Sequence, residues 1–63
     1  HQAIKDLDRA IELNPQYAEA YYIRGLAYAK LENNKMTIQN LKIAATLGDK
    51  DAQNVLRSKG IAY

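Results

Sequence analysis

Residues 18–51 read AEAYYIRGLAYAKLENNKMTIQNLKIAATLGDKD, and this stretch decides the fold. Its apolar residues recur three and four positions apart, a spacing that predicts amphipathic α-helices rather than β-strands. Asn33 and Asn34 interrupt the spacing, because Asn readily adopts turn conformations. We therefore expect two helices joined by a tight turn, at about residues 17–31 and 35–47.

Two further helices are expected on either side of this pair. Asn14 precedes a proline and is therefore pushed out of the helical conformation, so a first helix over residues 1–14 should end there. Gly48 suits the end of the third helix, and Asp49 suits the N-cap of a fourth over residues 50–62. The predicted fold class is all-α, with about four helices arranged as the helix-turn-helix repeats of an α-solenoid.

The sequence repeats itself with a period of 34 residues. Four apolar pairs coincide at this shift, on the apolar sides of the first and third helices: Ile4 with Ile38, Leu7 with Leu41, Ala10 with Ala44, and Leu13 with Leu47. Near the end of the chain, a shift of 35 aligns Arg24–Tyr28 with Lys59–Tyr63, as if one residue were inserted near Gly48. Such periods are typical of solenoids. We interpret the chain as three parts: the second half of a repeat (1–17), one complete repeat (18–51), and the first half of a further repeat or a capping helix (52–63).

Composition excludes several function classes. The nine basic and seven acidic residues are interspersed, without the basic patch of a nucleic-acid-binding protein. No apolar run approaches the roughly 20 residues that span a membrane, and no secretory signal is visible. The chain also lacks cysteine. We therefore expect neither nucleic acid nor a membrane as a partner, and a cytoplasmic location. Because His1 opens the sequence inside a helical pattern, we interpret the chain as a piece of a longer protein or a processed product.

The period and several individual positions resemble the tetratricopeptide repeat. The matching residues are small, aromatic or turn-forming where that family has such residues: AEAYY at 18–22, Gly25, Tyr28, Leu41 and Ala44, preceded by Ala3, Ala10 and Asn14-Pro15. Four positions depart from the family pattern: Arg24 for leucine, Glu32 for glycine, Thr37 for alanine and Asp49 for proline. Gly25 costs up to about 1 kcal/mol in helix propensity, so we expect a packing reason for it. The resemblance covers the whole chain.

The resemblance implies a protein-interaction module. In proteins similar to this one, the first helices of successive repeats line a concave groove that receives a peptide or protein partner. The matching positions here are Glu19, Tyr22, Ile23, Leu26, Ala29 and Lys30. Tyr22 is the predicted anchor, because tyrosine combines apolar area with a hydroxyl and is enriched at binding hot spots. In the alternative interpretation, Tyr22 and Leu26 simply pack against the neighbouring repeat.

Two other functions stay open at this point. The chain could form homo-oligomers or exchange helices through its open ends, since Ile4, Leu7 and Ile11 would be exposed in a monomer without a preceding helix. It could also be a structural spacer in a longer solenoid.

Catalysis has little support in the sequence. Ser58 is the only serine, and the terminal His1 makes a poor general base. Asp6 and Asp8 are two positions apart on a helix and do not face each other, so both are expected to be solvated. We predict no enzymatic activity, cofactor or metal site. Thr37 is expected to bond to its own helix.

Overall fold

The computed structural model describes residues 2–63, and His1 lies outside the described residues. Four helices account for most of this range: α1 (Gln2–Leu13), α2 (Ala18–Lys30), α3 (Asn34–Thr46) and α4 (Lys50–Ser58). Each helix packs against the next one along the chain, α1 on α2, α2 on α3 and α3 on α4. The all-α helical repeat architecture predicted from the sequence is confirmed.

The core lies between α2, α3 and α4 and uses small side chains to bring helices close. Its fully buried members are Leu41, Ala44, Ala45, Ala52 and Leu56. Gly25 of α2 is buried against α3, where an added Cβ would lie 3.4 Å from both the Asn40 Cβ and the Leu41 Cδ2. That spacing is the packing reason expected for this glycine, since a larger side chain would push α3 away.

Two helices begin with a side-chain cap. The Asn33 side chain accepts a hydrogen bond from the Met36 backbone N–H at 3.2 Å, and Asp49 accepts one from Ala52 at 2.8 Å. Thr37 donates to the Asn33 carbonyl at 3.0 Å, as expected. Each cap satisfies a backbone donor that the first turn of a helix would otherwise leave free.

Three helices end with the same backbone motif, in which a left-handed residue follows the last turn. Gly48 and Gly60 hold that position after α3 and α4, at φ angles of +106° and +72°. After α2 the position belongs to Glu32, at φ +58°, and it is the one non-glycine residue with positive φ in residues 2–63. The motif is complete there, because Glu32 donates to the Ala29 carbonyl and Asn33 to that of Tyr28, both at 3.0 Å.

The fourth helix is shorter than the sequence suggested, ending at Ser58 instead of residue 62. The Ile61 N–H bonds to the Leu56 carbonyl, which turns the chain back so that Ile61 packs against the core. Gly60 therefore lies beyond a helix end, whereas Gly25 lies inside α2. The alignment at a shift of 35 residues was wrong as a structural equivalence, because Gly25 packs inside a helix and Gly60 follows the end of one.

The first helix does not expose the apolar stripe that we expected. Ile4 is buried, and Leu7 and Ile11 are half-buried, because this stripe faces α2. The expectation of an open apolar face on α1 was wrong for these residues. The large apolar residue that α1 does expose is Leu13, at its last position, with 75% of its surface accessible.

Candidate partner-binding face

One side of α2 faces solvent and carries four of the six predicted groove residues. Glu19, Ile23, Leu26 and Lys30 are all exposed, and at 3.6 residues per turn they fall within an arc of about 60°. Other sides of the same helix are covered: Ala20 and Gly25 are buried, and Tyr21 and Tyr28, opposite the exposed side, are half-buried. We call these four exposed residues the α2 face.

The α2 face borders a shallow depression of about 250 Å³ between α1 and α2. Its lining is mostly apolar and consists of Ala3, Ile23, Leu26, Ala27 and Lys30. The two alanines make room for it, because neither side chain is long enough to fill the space between the helices. Cavities that enclose drug-sized ligands typically measure about 300–1,000 Å³, so this one suits one or two side chains of a partner.

The two large apolar residues of this face are open to water. Ile23 is 43% exposed and Leu26 is 39% exposed, and both line the same depression. Neighbouring large apolar side chains that remain accessible are a common mark of interaction surfaces.

The other two predicted groove residues lie to one side. Tyr22 is half-buried and packs against the core cluster around Leu41 and Leu56, so part of it serves the fold. Ala29 is exposed but does not line the depression. Sequence reasoning did not select Ala3 and Ala27. Only the packing of α1 beside α2 reveals them, because small residues at helical spacing give no separate signal.

A polar network around Arg24, on another side of α2, joins three helices. The Arg24 Nε donates to the Asn40 Oδ1 at 2.7 Å, and its Nη1 donates to the Asp8 Oδ1 at 2.8 Å. The guanidinium also lies over the Tyr21 ring, 5.3 Å from its centroid. Asn40 completes the network by donating to the Met36 carbonyl at 2.8 Å.

This network explains the departure at position 24. Arg24 takes the place of a leucine because Asn40, only 1% exposed, supplies a polar partner on α3. Asp8 is exposed, as expected, and it also forms an ion pair with Arg24. The network thus links α1 and α3 to α2.

The described residues contain neither a cluster of candidate metal ligands nor a helix that could span a membrane. Within residues 2–63, no group of three or more His, Cys, Asp and Glu side chains is placed to hold a metal ion. None of the four helices has the length and apolar character that crossing a bilayer requires.

Comparison with models of protein families gives a match in the first half of the chain. A family model described as a TPR repeat matches residues 1–32, which cover α1, α2 and the turn after it. No solved structure matches the chain.

Proposed function

Because this chain belongs to the tetratricopeptide repeat family, we propose that it binds a protein or peptide partner and that the α2 face receives that partner. Repeats of this family generally serve as protein-interaction scaffolds and are generally not catalytic. In this proposal residues 18–51 are the complete repeat, residues 1–17 are the second half of a preceding repeat, and residues 52–63 are the first half of a further repeat or a capping helix.

The observation that carries the proposal is the pair Ile23 and Leu26, both exposed on the wall of one depression. Full burial of such a side chain is worth about 1.5–3 kcal/mol. Each side chain still exposes about two-fifths of its surface, so covering both would contribute about 1–2 kcal/mol. That gain is available only to a partner that presents an apolar side chain to the depression.

The rest of the predicted groove has supporting roles in this proposal. Lys30 lies at the edge of the depression, where it can pair with an acidic group of the partner. Glu19 lies on the same side of the helix, about three turns earlier. Tyr22 and Ala29 border the face, and the half-buried Tyr22 ring can add its hydroxyl to the contact without leaving the core.

Selection of peptides from a displayed random library, with the immobilised chain as target, tests the proposal. Selected peptides should perturb the NMR amide signals of Ile23, Leu26 and Lys30 most strongly. Leu26→Asp should weaken binding at least about tenfold, because it puts a charge in the apolar wall.

The chain offers a matched control for this variant. Ile43 on α3 is 41% exposed, close to the 39% of Leu26, and does not line the depression. Ile43→Asp should therefore leave binding within about twofold of the unmodified chain. Equal losses in both variants, or shifts centred on α3, would refute the assignment of the face.

A further inference from the structure

The residues of the α2 face are spaced symmetrically along the helix, and its two ends carry opposite charges. Glu19 and Lys30 mark its two ends, and Ile23 and Leu26 lie between them. The charged pair and the apolar pair are centred on the same point, near the middle of α2. At a rise of 1.5 Å per residue, the charges are about 16 Å apart along the helix axis and the apolar pair about 4.5 Å apart.

This pattern is complementary to itself when a second helix runs antiparallel. A twofold axis through the shared centre would place Glu19 of each copy opposite Lys30 of the other, and Ile23 opposite Leu26. A twofold contact uses the same patch on both copies, so each charge pair and each apolar contact forms twice. We infer that the partner of the α2 face is a second copy of this chain, bound antiparallel.

The charges of the face are available for this contact. In the part of the chain that the structure describes, the one ion pair joins Arg24 to Asp8, so neither Glu19 nor Lys30 is neutralised within the chain. Charge pairs at the rim of an interface mainly set orientation, and the apolar centre supplies affinity. The inference rests on the proposed function, since both place the partner on the α2 face.

The contact should be weak, because the face is one helix wide. Interfaces that bury less than about 1,200 Å² in total are typically transient. Sedimentation velocity and NMR dilution series should therefore extend to about 1 mM chain. Signals of Ile23 and Leu26 should shift with concentration, while those of Ile43 should not.

Charge exchange at the ends of the face is the deciding experiment. Glu19→Lys and Lys30→Glu each bring like charges together at both ends, so each should weaken association about tenfold or more. The double variant restores opposite charges at both ends and should associate within about threefold of the unmodified chain. An equimolar mixture of the two single variants should also associate, because the two chains complement each other.

An effect of net charge alone on association would give a different result, so it can be distinguished from the antiparallel contact. From the formal charge of +2, Glu19→Lys gives +4 and Lys30→Glu gives 0. Long-range repulsion alone would weaken the first variant and strengthen the second, whereas the antiparallel contact weakens both. Glu12→Lys on α1 and Lys35→Glu on α3 reproduce the same net charges at exposed positions off the face and serve as controls.

In the double variant, the stability of α2 should fall while association recovers. Glu19 is in the first turn of α2 and Lys30 in the last, where both favour the helix dipole. The double variant should therefore melt at the lowest temperature of the set and yet recover association. Restored folding cannot explain recovered association in a variant that melts at a lower temperature.

Two outcomes would overturn the inference. A chain that stays monomeric to about 1 mM does not bind itself through this face, although peptide binding that Leu26→Asp removes would leave the proposed function intact. Association that responds to the off-face controls as strongly as to Glu19 and Lys30 would place the contact elsewhere. Failure of both peptide binding and association would refute the proposed function as well.

Discussion

Replacing Glu32 with glycine should stabilise the fold, because Glu32 holds a conformation that suits glycine. Its φ angle is +58°, in the left-handed region, where a residue with a Cβ is strained by about 1–2 kcal/mol. Glycine removes that strain but makes the unfolded chain more flexible, which costs about 0.4–1 kcal/mol. The expected net gain from Glu32→Gly is therefore about 0.5–1 kcal/mol.

Thermal and urea unfolding followed by circular dichroism measure this gain. For a domain of this size, 1 kcal/mol corresponds to about 4–8 °C, so Tm should rise by about 2–8 °C. The backbone motif after α2 stays intact, because its bonds from Glu32 and Asn33 use backbone N–H groups only.

Two further variants separate backbone strain from charge. Glu32→Ala removes the exposed carboxylate but keeps a Cβ, so it should change stability by less than about 0.5 kcal/mol. Gly48→Ala places a Cβ at φ +106° and should destabilise by more than about 1 kcal/mol. If Glu32→Ala raises Tm as much as Glu32→Gly, or if the glycine variant has an unchanged or lower Tm, the strain argument is refuted.

Three further predictions concern the helix contacts and also use unfolding free energies. Arg24→Ala should lower the unfolding free energy by about 1–3 kcal/mol, because it leaves the buried Asn40 oxygen without its donor. Asp8→Ala breaks only an exposed ion pair and should lower it by less than about 1 kcal/mol. Similar losses in the two variants would contradict this account. Gly25→Val should cost about 1–3 kcal/mol by crowding α3, and a stabilised valine variant would show that the helices are not held that close. Asp49→Ala should cost about 1 kcal/mol by removing the cap of α4, and an unchanged midpoint would count against the cap.

Much of the fold could be predicted because local patterns and tertiary packing agree. The apolar spacing, Asn14 before a proline and the cap at Asp49 each act within one turn of the chain, so the sequence displays them directly. The end of α4 was missed because Gly60 and Ile61 act through a backbone motif and a core contact. At the level of sequence, the same Lys-Gly-Ile segment also resembles a helix interior.

The candidate face was only partly visible in the sequence. Helical spacing alone puts Glu19, Ile23, Leu26 and Lys30 on one side of α2, and the structure leaves that side exposed. The depression beside them depends on Ala3, which lies twenty residues before Ile23. The ion pair of Arg24 likewise requires knowledge of which helix lies opposite, so spacing within one helix does not predict it.

The hydrogen bond between Arg24 and Asn40 links the evolution of two positions that are sixteen residues apart. A leucine at position 24 would leave the buried Asn40 Oδ1 without its donor, and an apolar residue at position 40 would leave the Arg24 Nε without its acceptor. Neither change is tolerated well alone, although the two together restore an apolar contact. Relatives of this chain should therefore carry both polar residues or neither, and correlated substitution at these positions would trace how far this variant of the repeat has spread.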